Sequence, residues 1–468
     1  MAAVLPQRGK KIREDFTQGN IVRQMIRFSI PMILSNLLQL AYNFVDMAIV
    51  GQFLGSAGLS AVSNGGDVIH FATVLCTGFA GAGQVLIAQS LGRKDKDEVQ
   101  RSIGTMFTFL AIMAVVITVL GLCFTDWILN AINVPPEAYA DTRDYVQVCV
   151  GGMIFIFGYN AVSSAMRGLG DSIHPFYFIL IASVLNLVLD VVFVLGLDMG
   201  VAGAALATVI GETVSFLACL VFLYRNRVSF GFDFRLKSFG LDKTIFPKLI
   251  KLGVPMALQH SAVSLTKLFV TSFINSYGLV FSAINGIGGK LLKCANVICN
   301  ALNTSCTSMI GQCKGAGKTD RITKIVYVSL LVCTVYCALM SLAVVLLPEQ
   351  IFGIFNKEEE ILRACHEYVP ILVLTFMLAG LRQPMRALIN GTGNASLAMM
   401  NVIFGSILCR AGLSYLLGEV LSYGYMGLWF GEALADIVPF ATGGIFFWTG
   451  YWKRTIEAPA GMSAGKEK

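Results

Sequence analysis

The sequence predicts an all-α membrane protein of twelve transmembrane helices, arranged as two pseudo-symmetric six-helix bundles about a central cleft. Three observations predict it. Of 468 residues, 56% are hydrophobic and 13% charged, roughly half the charged share of a soluble domain, and the mean hydropathy is +0.71. Apolar runs of about 20 residues, each long enough to cross about 30 Å of hydrocarbon, recur between Ile30 and Trp452 with short polar segments between them. Finally, stretches of the first half return in the second half in the same order.

The helical class follows from the solvent. No water reaches an unpaired backbone group in the bilayer core, so only helices or a closed barrel can span it. Uninterrupted apolar runs exclude the barrel, whose strands would alternate. The polar, basic opening MAAVLPQRGKKIREDFTQGN has no apolar core followed by a small-residue cleavage site. No removable signal peptide is expected, and the first span is expected to direct insertion. The cysteines are scattered singly, as at Cys76, Cys123, Cys149 and Cys219, without the spacing of a zinc site or redox pair. They read as small hydrophobes, and Cys294, Cys299, Cys306 and Cys313 fall in one helical run, so no metal centre or cofactor is expected.

Loop charge sets the topology. Lys and Arg concentrate at the N-terminus (Lys10, Lys11, Arg13, Arg23), from Arg93 to Arg101, from Arg225 to Lys251, from Lys314 to Lys324, and at Lys453 and Arg454. The stretches Asp126 to Asp144 and Glu349 to Glu360 lean acidic. The positive-inside rule puts the basic segments in the cytoplasm and the acidic ones outside. Both termini are then cytoplasmic, which requires an even number of spans. The net charge of +7 is thus read as topology, and no nucleic-acid partner is expected, because the basic residues share neither a face nor a tail.

In order, the helices are expected at roughly 27–53, 58–90, 99–126, 142–168, 174–197 and 200–225 in the first half, then 248–276, 280–312, 322–348, 365–390, 396–418 and 424–452 in the second. The repeat supports this register. FSIPMILSNLLQL returns as LGVPMALQHSAVSL and IAQSLGRKDKDE as IGQCKGAGKTDR, setting Pro31 against Pro255 and Gln89 against Gln312, about 223 residues apart. MRGLGDS returns as LINGTGNAS, and Gly203 matches Gly427. Repeats with an even number of spans lie parallel, related by an axis along the membrane normal. The chain divides into a cytoplasmic segment 1–26, an N-terminal bundle 27–225, a cytoplasmic linker 226–247, a C-terminal bundle 248–452 and a cytoplasmic tail 453–468. Glycine-rich fragments such as GFAGAGQ and GIGGK follow no strand and lie inside apolar helices, so they are read as helix-packing surfaces, not nucleotide cradles.

Acidic side chains within spans cost about 2.5–3.5 kcal/mol each at a helix centre and therefore call for a role. The first half supplies Asp46 in the first span and Asp190 in the fifth. Asn186 precedes Asp190 by one helical turn, so amide and carboxylate share a face. A hard monovalent cation takes several oxygen ligands, whereas a proton needs only a buried carboxylate; this set suits both. Asn160 in the fourth helix and Thr208 in the sixth are candidates to complete it. Glu432 and Asp436, one turn apart in the last helix, are candidates for a second polar face, with a satisfied structural pair the favoured reading. Lys290, in repeat register with Asp67, is a candidate to line the cleft or to snorkel to an interface. Aromatic and Met side chains such as Phe157, Tyr159 and Met256 suit a cavity that repacks around varied ligands.

Together, Pro31 ahead of Asp46, the Asn186 and Asp190 pair, RGLGDSIHP closing the fourth helix, GVAGAALAT opening the sixth and the duplicated order resemble the prokaryotic multidrug and toxic compound extrusion (MATE) family over nearly the whole chain. The resemblance implies a V-shaped cleft between the bundles. It also implies a cation site in the N-terminal lobe at Asp46, Asn160, Asn186, Asp190 and Thr208, with Pro31 as a hinge in the first helix. Another branch of the family carries acids in the seventh and tenth helices, where this chain has QHSAVSLTKLFV and GLRQPMRALING, so a C-terminal sodium site is not expected; Gln259, Lys267 and Gln383 occupy those regions. The implied function is secondary active export of amphipathic or cationic organic compounds in exchange for H+ or Na+. The implied setting is a monomer in the lipid bilayer of a bacterial inner membrane, with no enzymatic activity. The alternative is a flippase for a lipid-linked or polysaccharide precursor, which a strongly cationic cleft would favour.

Overall fold

The computed structural model describes residues 14–457; Lys10, Lys11 and Arg13 and the end of the tail lie outside the described residues. Long helices carry the chain, and the described residues contain no strand. In the N-terminal lobe these are α1 (Ile21–Phe53), α2 (Gly55–Gly92), α3 (Lys96–Cys123), α4 (Pro136–Gly151 and Met153–Gly168, bent by 49°), α5 (Ile173–Gly196) and α6 (Gly200–Arg225). The C-terminal lobe repeats them as α7 (Ile245–Ser276), α8 (Leu279–Gly315), α9 (Thr319–Leu346), α10 (Glu359–Gly391), α11 (Ala395–Val420) and α12 (Gly424–Trp448). Among the described residues, nine helices are long and apolar enough to cross a membrane, and α4 makes ten when its two segments count as one span. The exceptions are α7 and α8. Each is long enough, but Lys248, Lys251 and Lys267 interrupt the first, and Lys290, Lys293 and a series of asparagines the second.

Helix starts are written in the sequence. Asn20 accepts a hydrogen bond from Arg23 N at 3.0 Å, Asp95 from Glu98 N at 2.9 Å, and Asn394 from Leu397 N at 3.1 Å, each satisfying a first-turn donor. Asp242 does the same for α7, accepting from Thr244 N at 2.8 Å and Ile245 N at 3.1 Å. The linker is strapped to the N-terminal lobe: Phe230 and Phe232 are buried, and the Phe232 ring meets Phe107 of α3 edge-on at 5.7 Å.

Each lobe has its own core. In the first lobe α2 packs on α3 and α4, α4 on α6, and α5 on α6; in the second α10 packs on α8, α9 and α12, and α11 on α7 and α12. The outer surface stays apolar. On α9, Leu331, Val335, Leu339, Leu342 and Leu346 are exposed at helical spacing, a stripe suited to lipid.

The lobes meet through α2 against α7 and α8, and α1 against α8. Their hydrogen bonds cluster at the end of the molecule that carries the basic loops. Gln89 Nε2 donates to Gly391 O at 2.9 Å, and its repeat partner Gln312 donates to Gly168 O at 3.4 Å. Each amide thus closes a carbonyl at the end of the opposite lobe's fourth helix. Gly92 and Gly315 make the close approach reciprocal: a Cβ on Gly92 would lie 2.0 Å from Gln312 O, and one on Gly315 2.0 Å from Gln89 O. The segment before α1 caps this seam. Phe16 N donates to Gln312 Oε1 at 3.1 Å and Arg321 Nε donates to Phe16 O at 3.0 Å.

Candidate functional site

The site is built where α1 lies against α5, and α5 against α6. The α5–α6 contact is close because Gly211 presents no side chain; a Cβ there would meet Ala182 O at 3.0 Å and Asn186 Cβ at 3.4 Å. This brings Asn186 and Asp190 of α5 beside Thr208 of α6. The Asn186 amide is satisfied with its nitrogen donating to Asp190 Oδ2 at 3.3 Å and its oxygen accepting from Thr208 N at 3.2 Å. Thr208 Oγ1 donates to Ala204 O at 3.1 Å. Asp190 is 1% exposed, and from Val191 to Gly196 the helix widens to a π-helical turn, an irregularity common at functional sites.

Asp46 of α1 faces this pair closely enough to interact electrostatically with Asp190. Tyr42, one turn earlier on α1, is within the same range of Asp46, Asp190 and Glu212. Glu212 is the residue that sequence reasoning missed. It follows Thr208 by one turn of α6, so the spacing that paired Asn186 with Asp190 was the signal that could have found it. Asp46 Oδ1, Asp190 Oδ1 and Glu212 Oε2 are all buried without a hydrogen-bond partner, and none of the three carboxylates forms an ion pair among the described residues. Three carboxylates thus lie around Tyr42 where α1, α5 and α6 meet, and none is neutralised by a basic side chain among the described residues. Among the described residues they do not converge as a tight metal cage of three or more His, Cys, Asp or Glu ligands.

The remaining predicted positions spread more widely. Asn160 directs its amide to its own helix, donating to Ile156 O at 2.8 Å. Pro31 lies inside α1, where it removes one rung of the helical ladder. Phe157 is 1% exposed within the N-terminal core, and Tyr159 is buried with its hydroxyl donating to Pro175 O at 3.2 Å. Met256 packs at the seam, its Cε 2.9 Å from where a Gly81 Cβ would be. Gln383 ties α10 to α8, accepting from Asn303 Nδ2 at 2.7 Å and donating to Asn300 Oδ1 at 2.6 Å. Lys290 is exposed, 5.3 Å over the Phe355 ring. Gln259 lines a cavity of the C-terminal lobe with Arg382, Arg386 and Arg410, while Lys267 lines a second one with Tyr368, Trp429 and Glu432. Glu432 and Asp436 are paired to arginines: Asp436 Oδ1 accepts from Arg382 at 2.8 Å and Arg410 at 2.9 Å, and Glu432 Oε1 accepts from Arg410 at 3.2 Å.

Two lobes of long apolar helices, with buried carboxylates inside the spans of one of them, make this an all-α membrane protein of the transporter class. The MatE family model matches twice, at residues 31–192 and 255–416, the two copies falling on the two lobes. The chain belongs to the MATE family of transporters. It is 27% identical to the probable multidrug resistance protein YoeA of Bacillus subtilis, over 90% of this chain and 92% of that protein. It is 24% identical to the probable multidrug resistance protein NorM of Thermotoga maritima, over 93% and 94% of the two chains. A solved structure of a multidrug resistance MATE family transporter in an outward-facing conformation shares the fold, with a TM-score of 0.87 at 21% identity, covering 96% of this chain and 99% of its own.

Proposed function

We propose that this transporter is a multidrug exporter that exchanges H+ or Na+ for amphipathic or cationic organic compounds by alternating access, with Asp46, Asp190 and Glu212 as the coupling carboxylates. The observation that carries this reading is three carboxylates within the spans of one lobe, each with a buried oxygen that has no hydrogen-bond partner, where charge calls for a functional role. Asn186 and Thr208 supply the neutral oxygens and donors that hold Asp190 in place. The names of the YoeA and NorM relatives support the substrate class.

The cycle follows from differential affinity. A cation can bias the two lobe arrangements only by binding one of them more tightly. Neutralising Asp46 and Asp190 removes their mutual repulsion, letting α1 settle against α5, and the interruption at Pro31 lets the first part of α1 stay docked on α8 while the rest shifts. With the basic loops taken as cytoplasmic, the closed seam at Gln89 and Gln312 is the inner gate, and both described chain ends lie on that side. Ethidium efflux from cells expressing the chain tests the assignment. Asp190→Asn, inserted in the membrane at normal abundance, is expected to lose efflux, and undiminished export against a gradient would refute the site.

A further inference from the structure

We propose that the C-terminal lobe holds an oxyanion site, for the carboxylate or phosphate group of a transported compound, formed by Arg382, Arg386 and Arg410 with Asn401 beside them. The cavity draws its walls from α7, α10, α11 and α12. Its ionic balance is incomplete. Asp436 is shared by Arg382 and Arg410, and Glu432 is taken by Arg410, while Arg386 has no hydrogen bond or ion pair among the described residues. Three guanidinium groups therefore face two carboxylates. Arg382 Nε, Arg410 Nε and Asn401 Nδ2 are buried donors without an acceptor, on side chains of residues only 8%, 6% and 4% exposed. Unsatisfied donors from two helices around one cavity, with an excess positive charge, call for an acceptor-only ligand. A planar guanidinium fork matches a carboxylate or phosphate with two parallel hydrogen bonds.

The repeat sharpens the inference. About 224 residues separate Asn186 from Arg410, Thr208 from Glu432 and Glu212 from Asp436, so the arginine cavity occupies the place in the C-terminal lobe that the carboxylate pocket occupies in the N-terminal one. The N-terminal lobe holds three carboxylates here, and the C-terminal lobe three arginines against two carboxylates. The Arg410 and Glu432 pair forms the wall shared with the second cavity at Tyr368 and Trp429.

Equilibrium dialysis of purified full-length protein with radiolabelled inorganic phosphate tests the proposal, with benzoate and dihexanoyl phosphatidic acid as competitors. Saturable binding weakened at least about tenfold in Arg386→Gln, and retained in part by Arg386→Lys, is expected. Displacement by benzoate identifies free organic anions as ligands. Displacement by the phosphatidic acid alone identifies a lipid headgroup, and both support an oxyanion site. Arg386→Gln breaks no pairing, so without anion it is expected to melt no lower than the unaltered protein. Absence of saturable phosphate binding, or binding equal in Arg386→Gln, would overturn the proposal. Dialysis needs no ion gradient, so such a failure leaves the N-terminal coupling site untouched.

Discussion

At the scale of single residues, the proposed coupling rests on carboxylates that form no ion pair among the described residues. Glu212→Gln keeps the shape of the side chain and removes its charge, and is expected to cut gradient-driven ethidium export at least about tenfold; export within twofold of the unaltered protein would remove Glu212 from the coupling set. Neither Glu212→Gln nor Asp190→Asn breaks an ion pair, and a buried unpaired carboxylate is itself destabilising by about 1–3 kcal/mol. Both variants are therefore expected to melt no lower than the parent in detergent, which separates lost coupling from lost folding. Asp46, Asn186, Asp190 and Thr208 were legible because intramembrane polarity is costly and helical spacing gives each side chain a face. Glu212 escaped because GETV sits on a helix already read for its threonine. The clustering of Arg382, Arg386 and Arg410 was not legible either, since only folding shows that side chains from two helices point into one cavity.

At the scale of elements, the seam between lobes depends on α2 and α8 touching backbone to backbone. Gly92→Leu or Gly315→Leu would drive a side chain into a carbonyl 2.0 Å from its Cβ, so the closed seam should become inaccessible. Spin labels across α2 and α8 at this end are expected to report a population shifted to longer distances, and an unchanged distance distribution would contradict the assignment of this end as a gate. The start of α7 offers a milder test. The Thr244 hydroxyl, bonded to Asp242, is the largest cause holding that carboxyl below the usual carboxylate range, with the Thr244 and Ile245 amides acting in the same direction. A carboxyl lowered in the folded state stabilises above its unfolded value and loses that contribution as pH falls through the lowered one. Asp242→Ala is expected to cost about 1 kcal/mol at neutral pH, a difference that narrows in acid and is read from melting curves at two pH values. The expected helices coincide with those observed to within a few residues at most ends, because apolar length dictates them. The bend in α4 was not foreseen: Gly151 and Gly152 interrupt it, and a break of the ladder inside an apolar run leaves composition unchanged.

At the scale of the whole molecule, duplication gave two lobes one architecture and two electrostatic characters. The family match in two copies and the reciprocal Gln89 and Gln312 bonds record the common origin; three unpaired acids in one lobe and three arginines in the other record the divergence. Repeat register was readable from the sequence because glutamines and glycines at the seam serve the same contacts in both halves. Polarity reversal was not, because Asn186 and Arg410 look unrelated until their helices are superposed. The most direct test of cation capture by the N-terminal lobe is substrate transport in proteoliposomes with a proton gradient and a sodium gradient imposed separately. The account predicts transport driven by at least one of them and abolished in Asp190→Asn. Transport indifferent to both gradients, or equal in Asp190→Asn, would contradict it.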